Sequence, residues 1–171
     1  MKRLIALGFS LLLLVGCGSQ AAEESSFGSR ETNFAEMMIP HHEQAIVMSE
    51  LALANSEDTE VRELAADILA AQAPEIEQMK SWPGVNPSLH AGHMMDGMLS
   101  DSEIEALRQA MGKTFDLLFL EGMIKHHLGA IMMAEDVVTS ENPEVSALAK
   151  AIISTQESEI AQMRSMLDQR K

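Results

Sequence analysis

Two long stretches of the chain, 34–81 and 119–165, place apolar residues every three or four positions, the spacing of one helix face. The stretches match each other. FAEMMIPHHEQAIVMSE (34–50) aligns without gaps on FLEGMIKHHLGAIMMAE (119–135) at an offset of 85, setting His41 on His126 and His42 on His127. After one deletion, SEDTEVRELAADILAAQAPEIEQMKS (56–81) aligns on SENPEVSALAKAIISTQESEIAQMRS (140–165) at an offset of 84. Val61, Leu64, Ala65, Ile68, Ile76 and Met79 form one stripe, and Val145, Leu148, Ala149, Ile152, Ile160 and Met163 repeat it. Asn142 followed by Pro143 reads as a helix N-cap with proline at the first helical position, and Asp58 holds the same place in the first half. Each half therefore predicts helix, short turn, helix. One hairpin cannot bury its own stripe, so the two are expected to pack as an all-α four-helix bundle.

Between the halves, SWPGVNPSLHAGHMMDGMLSD (81–101) is broken by Pro83, Gly84, Pro87, Gly92 and Gly97 and reads as flexible loop. A short helix is expected from about Ser102 to Met111, with Gly112 breaking the chain before the second hairpin. Pro40 falls inside the first helix and removes a backbone hydrogen bond beside His41, where a bend is expected.

The N-terminus follows another pattern. Met1-Lys2-Arg3 precedes an apolar run from Leu4 to Val15, the form of a secretory signal and too short for a spanning helix of about 20 residues. Leu14-Val15-Gly16-Cys17 resembles the bacterial lipobox, which predicts lipidation of Cys17 and anchorage to the cell envelope, with the domain facing the periplasm or the extracellular side. This divides the chain into a lipoprotein signal peptide (1–16), a flexible tether (17–30) and a helical domain (31–171) carrying a Met/His-rich loop at 83–100. Cys17 is the single cysteine, so no disulfide forms within the chain.

Net charge is −14, and removing Lys2 and Arg3 with the signal leaves 10 basic against 26 acidic residues, or −16. Such a surface repels phosphate, which argues against nucleic acid and anionic headgroups as partners. The candidate chemistry is soft. All six histidines fall in three clusters: His41-His42, His90/His93 and His126-His127. Met37 and Met38 stand one turn before His41 and His42, Met48 two turns after His41, and Met123 and Met133 repeat the arrangement around His126 and His127. Imidazole and thioether are both copper ligands, and thioether selects Cu(I). Adjacent helical residues point about 100° apart, so at most one ring of each pair is expected to face the bundle centre. Gln72 and Glu75, repeated as Gln156 and Glu159, interrupt the apolar stripe. A buried carboxylate requires a partner, and the repeated histidines are the natural one. Two roles stay open for them: structural polar clasps, or carboxylates that orient ligand histidines. The loop gathers His90, His93, Met94, Met95 and Met98 within nine residues, five donors that core packing does not easily explain, suited to Cu(I) or Ag(I).

At MMIPHHEQAI and MIKHHLGAI, with QAPEIEQM and QESEIAQM downstream, the chain resembles the bacterial family of domain of unknown function 305 over about residues 31–168. The resemblance implies a ferritin-like four-helix fold, an extracytoplasmic setting and an association with copper binding or resistance. The matching positions are Met38, His41, His42, Met48, Met123, His126, His127 and Met133, whereas Lys125 departs from the usual proline. The expected function is a membrane-anchored protein that buffers, carries or confers resistance to Cu(I) or Ag(I), with copper-handling proteins as candidate partners. The alternatives are a ferritin-like metalloenzyme and a metal-free interaction module. A di-iron enzyme needs Glu three residues before histidine on two helices. Those positions here hold Met38, Ile39, Pro87, His90, Met123 and Ile124. No nucleophile motif stands out either, so the protein is not expected to be an enzyme.

Overall fold

The computed structural model describes residues 27–170, so the signal, Cys17 and most of the tether lie outside the described residues. Helices are the regular elements among these residues: α1 (Ser29–Asn55), α2 (Thr59–Lys80), α3 (Asp101–Gln109), α4 (Gly112–Glu135) and α5 (Pro143–Gln169). α1 pairs with α2 and α4 with α5, while α1 and α4 bring the two hairpins together and α3 touches both. α1 begins at Ser29, inside the segment expected to be tether, and runs unbroken through Pro40.

The repeated turns are built alike. Asp58 Oδ1 accepts from the N–H groups of Glu60 and Val61, and Asn142 Oδ1 from those of Glu144 and Val145, so each second helix starts on a side-chain cap. The serine two residues before each cap reaches across to the other hairpin. Ser56 Oγ donates to Asp116 at the start of α4 (2.5 Å), and Ser140 Oγ donates to Glu31 at the start of α1 (2.7 Å). Asp116 and Glu31 are themselves equivalent at the offset of 85, so the duplication ties its halves together at both ends.

The interior is divided. One apolar cluster gathers Met48, Leu64, Ile68, Phe115, Phe119 and Met163 with their neighbours. The other gathers Phe34, Ile39, Met79, Ala130, Val145 and Ile152 at the opposite end. Each fully buried large side chain stabilises the fold by about 1.5–3 kcal/mol. Along every long helix the two clusters are separated by polar residues: His41-His42 on α1, Gln72 and Glu75 on α2, His126-His127 on α4, Gln156 and Glu159 on α5. A polar layer thus crosses the middle of the bundle.

The connection between the hairpins is far from a free loop. Trp82 is buried, stacks near Phe34 (6.4 Å between centroids) and donates from Nε1 to Glu144 Oε1 (2.9 Å). The Asn86 N–H donates to Glu36 Oε1 (2.8 Å), Met95 packs on the second cluster, and Leu99 is buried in the first. Proline and glycine correctly exclude a helix here, but the expected flexibility is corrected: apolar side chains and backbone hydrogen bonds fasten the segment to α1 and α4.

Candidate metal centre

The polar layer begins with the paired histidines, and all four rings are fully buried. As the 100° spacing requires, the two rings of each pair face different neighbours, yet neither is exposed. α1 and α4 each have neighbours on two sides, so residues 100° apart meet different helices and both stay dry. His42 Nε2–H donates to Glu75 Oε2 on α2 (2.9 Å), and His127 Nε2–H donates to Glu159 Oε2 on α5 (2.6 Å). His41 and His126 turn instead toward the α1–α4 contact, where their rings lie 3.8 Å apart at a tilt of 39°. His126 Nε2–H donates to the carbonyl of His41 (3.0 Å), and His41 Nε2–H donates to the carbonyl of Asp96 in the loop (3.2 Å).

A carbonyl only accepts, so His41 and His126 carry their proton on Nε2 and leave Nδ1 as a bare lone pair. Nδ1 of all four rings has no hydrogen-bond partner among the described residues, and neither has the amide of Gln72 or Gln156, each 2% exposed. The donor types suit copper, yet the arrangement does not focus them. The four imidazoles and two carboxylates associate in pairs. Among the described residues no group of three or more His, Cys, Asp or Glu is arranged around a metal position. His41 and His126 meet as tilted rings whose Nε2 atoms are both taken up by backbone carbonyls. Met38 and Met133 pack in one apolar cluster, Met48 and Met123 in the other, on opposite sides of the layer.

Burial holds the His41 imidazole at a pKa of about 3, helped by repulsion from His42 and opposed by the Asp96 carbonyl. His126 is also held well below the usual imidazole value, first by burial and then by His41. Both rings are neutral at pH 7. The unfolded chain takes up these protons below about pH 6.5 while the native state refuses them, so acid favours unfolding. Urea midpoints are expected to stay level above about pH 7 and to fall continuously from about pH 6.5 toward pH 3. A midpoint unchanged between about pH 7 and pH 4.5 would contradict neutral burial of these rings.

The loop comes down on this layer through two features the sequence reading passed over. Gln44 grips Leu99 at both backbone atoms, donating to its carbonyl (2.9 Å) and accepting from its N–H (2.7 Å). On α4 the equivalent position is Gly129, and a Cβ there would collide with the Asp96 carbonyl. Gly97 takes φ +85°, and its Cα side faces the Lys125 carbonyl and Gly129 so closely that a Cβ would lie 2.7–2.8 Å from them. The signal was present as a mismatch in the repeat, HHEQAI against HHLGAI.

The loop donors are not gathered into one set. His90 and His93 meet on the exposed side with their Nδ1 atoms 3.1 Å apart, one donating to the other. Met94 and Met95 line a cleft against α1 and α4. The Met98 sulfur accepts from the Met95 N–H (3.4 Å).

Tandem helical hairpins with an imidazole–carboxylate layer and a docked Met- and His-rich loop define a class of duplicated helical proteins. The chain belongs to the family described as Domain of unknown function (DUF305), which matches residues 31–167. Among curated proteins it is 44% identical over 57 residues to Uncharacterized protein L153 of Acanthamoeba polyphaga mimivirus, a match spanning 33% of this chain and 38% of that relative. Among solved structures it is similar to a DUF305 protein of Streptomyces coelicolor, with 34% identity, 82% of this chain and 93% of that chain covered, and a TM-score of 0.74. A DUF305 fragment from Deinococcus radiodurans shares 32% identity over 83% of this chain and 97% of that one, with a TM-score of 0.72. CopM in its Cu(II)-bound form shares 37% identity over 82% of this chain and 97% of that one, with a TM-score of 0.71. CopM has also been solved in Cu(I)-bound, Ag-bound and apo forms that match this chain.

Proposed function

We propose that this protein binds Cu(I) and Ag(I) outside the cytoplasm as an envelope-anchored buffer, carrier or resistance factor, rather than acting as an enzyme. The observation that carries this reading is the His90–His93 contact. Two imidazole nitrogens bound to one ion at about 2.0–2.1 Å lie about 3 Å apart at a bond angle near 100°. The two Nδ1 atoms already stand 3.1 Å apart, so an ion that displaces the shared proton meets a prepared pair. Met94, Met95 and Met98 follow within five residues and place thioethers, which favour the monovalent state, close along the chain. Similarity to CopM, solved with Cu(I), Cu(II) and Ag, supports the choice of metal.

Within this reading the hairpins form a ferritin-like four-helix bundle with α3 appended. The buried layer of His41, His42, His126, His127, Gln72, Glu75, Gln156 and Glu159 acts as a polar clasp, since its rings pair with carboxylates and carbonyls instead of converging on one point. Lipidated Cys17 holds the domain at the envelope.

A Cu(I) competition titration on the purified full-length protein tests the assignment. Replacing His90 and His93 together by alanine is expected to weaken Cu(I) by about 100-fold, since even the loss of an outer partner costs about 10- to 100-fold. Metal-free stability should move little, because His93 is exposed and half-buried His90, whose Nε2 has no partner, gives up only the bond it shares with His93. Unchanged affinity would remove the loop pair from the site, and no Cu(I) binding by the native chain would remove the function.

A further inference from the structure

Beside α4 lies an open cleft of about 550 Å³ lined by Met37 of α1, Met94 and Met95 of the loop, and Met132 and Met133 of α4. Its rim carries the carboxylates of Asp96 and Glu135, with Asp136 beside them. We propose that this cleft is a second, all-thioether site for a soft monovalent cation, Cu(I) or Ag(I), formed where the loop docks on α1 and α4. The inference rests on the reading that the protein binds these ions, and it assigns them a site separate from the imidazole pair.

Three observations converge on it. Methionine inside a protein is ordinarily gap filler. Met94 is 59% exposed and Met132 57% exposed, so packing does not account for them. The repeat gives the second argument. Met37 and Met132 stand where the other half has Gly122 and Val47. A structural role for sulfur would be needed equally on both sides of the duplicated fold. The Gly122 side keeps a smaller cleft of about 230 Å³ lined by Leu99, Leu107 of α3 and charged side chains, with no methionine among them. Third, the approach of the loop is built in: Gly129 leaves room for the Asp96 backbone, and His41 Nε2–H holds the Asp96 carbonyl, which sets Met95 against the cleft.

The donor set dictates the ion. A thioether is neutral, soft and without a proton to lose, so it favours Cu(I) and Ag(I) over Cu(II) and keeps its lone pair in acid. Imidazole must shed its proton to bind a metal and so weakens as a ligand below about pH 6.5. Rim carboxylates draw cations toward the opening. The Arg30 guanidinium, bonded to the Asp136 carbonyl, is the opposing charge on that side.

The test is a titration of purified full-length protein with silver nitrate at about pH 7.5 and about pH 5, because thioether binding needs no proton loss. The native protein is expected to retain Ag(I) binding at the lower pH, and so is the variant carrying His90→Ala and His93→Ala. Met37→Leu with Met132→Leu, a pair of near-isosteric changes, is expected to weaken it by at least about 100-fold. In the native protein, the methyl carbon signals of Met37, Met95, Met132 and Met133 should shift together on adding one equivalent of Ag(I), which keeps the question open to measurement even if the double variant folds poorly. Binding at the higher pH but none at the lower overturns the cleft and leaves the imidazole reading standing. Unaltered Ag(I) affinity in the methionine variant, or methyl signals that ignore silver, also overturns it. Failure to bind Ag(I) at either pH removes both sites.

Discussion

Replacing Gly129 by alanine is expected to lower the unfolding free energy by about 2–3 kcal/mol and to release the loop from α4. At an ordinary helical position the same change would stabilise by about 1 kcal/mol through helix propensity. Here the new methyl group would collide with the Asp96 carbonyl, a backbone atom that cannot swing aside as a side chain can. Lifting Asp96 takes the acceptor from His41 Nε2, a buried donor that then goes unpaired at a cost of about 1–3 kcal/mol. It also strains the two bonds between Gln44 and Leu99. Urea unfolding should show the lower midpoint, and amide exchange at Leu99 should accelerate. Met94 and Met95 would leave the helix surface with the loop, so Ag(I) binding at low pH should weaken as well. A variant as stable as the parent, with Leu99 protected as before, would mean that the close approach carries no energetic weight.

The second large effect is expected at Glu159. Truncation to alanine leaves His127 buried with neither ring nitrogen paired, and a buried polar group that loses its partner costs about 1–3 kcal/mol, to which the vacated side-chain space adds. Glu75→Ala should cost less, because the His42–Glu75 bond is longer (2.9 against 2.6 Å) and the Glu75 side chain is more exposed (16% against 11%). Glu159→Gln keeps an acceptor oxygen and should fall between Glu159→Ala and the native chain. Equilibrium urea unfolding at about pH 7.5 ranks the three. Cu(I) affinity at the loop is expected to survive Glu159→Ala wherever the protein remains folded, since the clasp holds the bundle together and the loop pair holds the ion. A loss of stability below about 0.5 kcal/mol would contradict the clasp.

Much of this layer was legible in the chain. A carboxylate and an amide repeated at the same two places in an apolar stripe cannot be accidental, and the nearest repeated donors were the histidines of the preceding helix. Burial of all four rings was not legible in the chain. Reasoning from one helix gives one buried face, whereas α1 and α4 each press against two neighbours. The loop was misjudged because proline and glycine report only the absence of a helix. They are silent on whether Trp82, Met95 and Leu99 find an apolar surface to cover.

The sequence by itself determined the local order: five helices, their caps at Asp58 and Asn142, the duplication, and which residue types could bind a soft ion. These follow from periodicity and short-range hydrogen bonding, both of which act within a few residues along the chain. Tertiary structure alone decided that the loop lies on the His41–His126 ring pair, that His90 and His93 share a contact, and that Met37 and Met132 join Met94 and Met95 in one cleft. Those contacts join residues up to 95 positions apart, and they depend on the space left by one missing Cβ at Gly129, which no local pattern records.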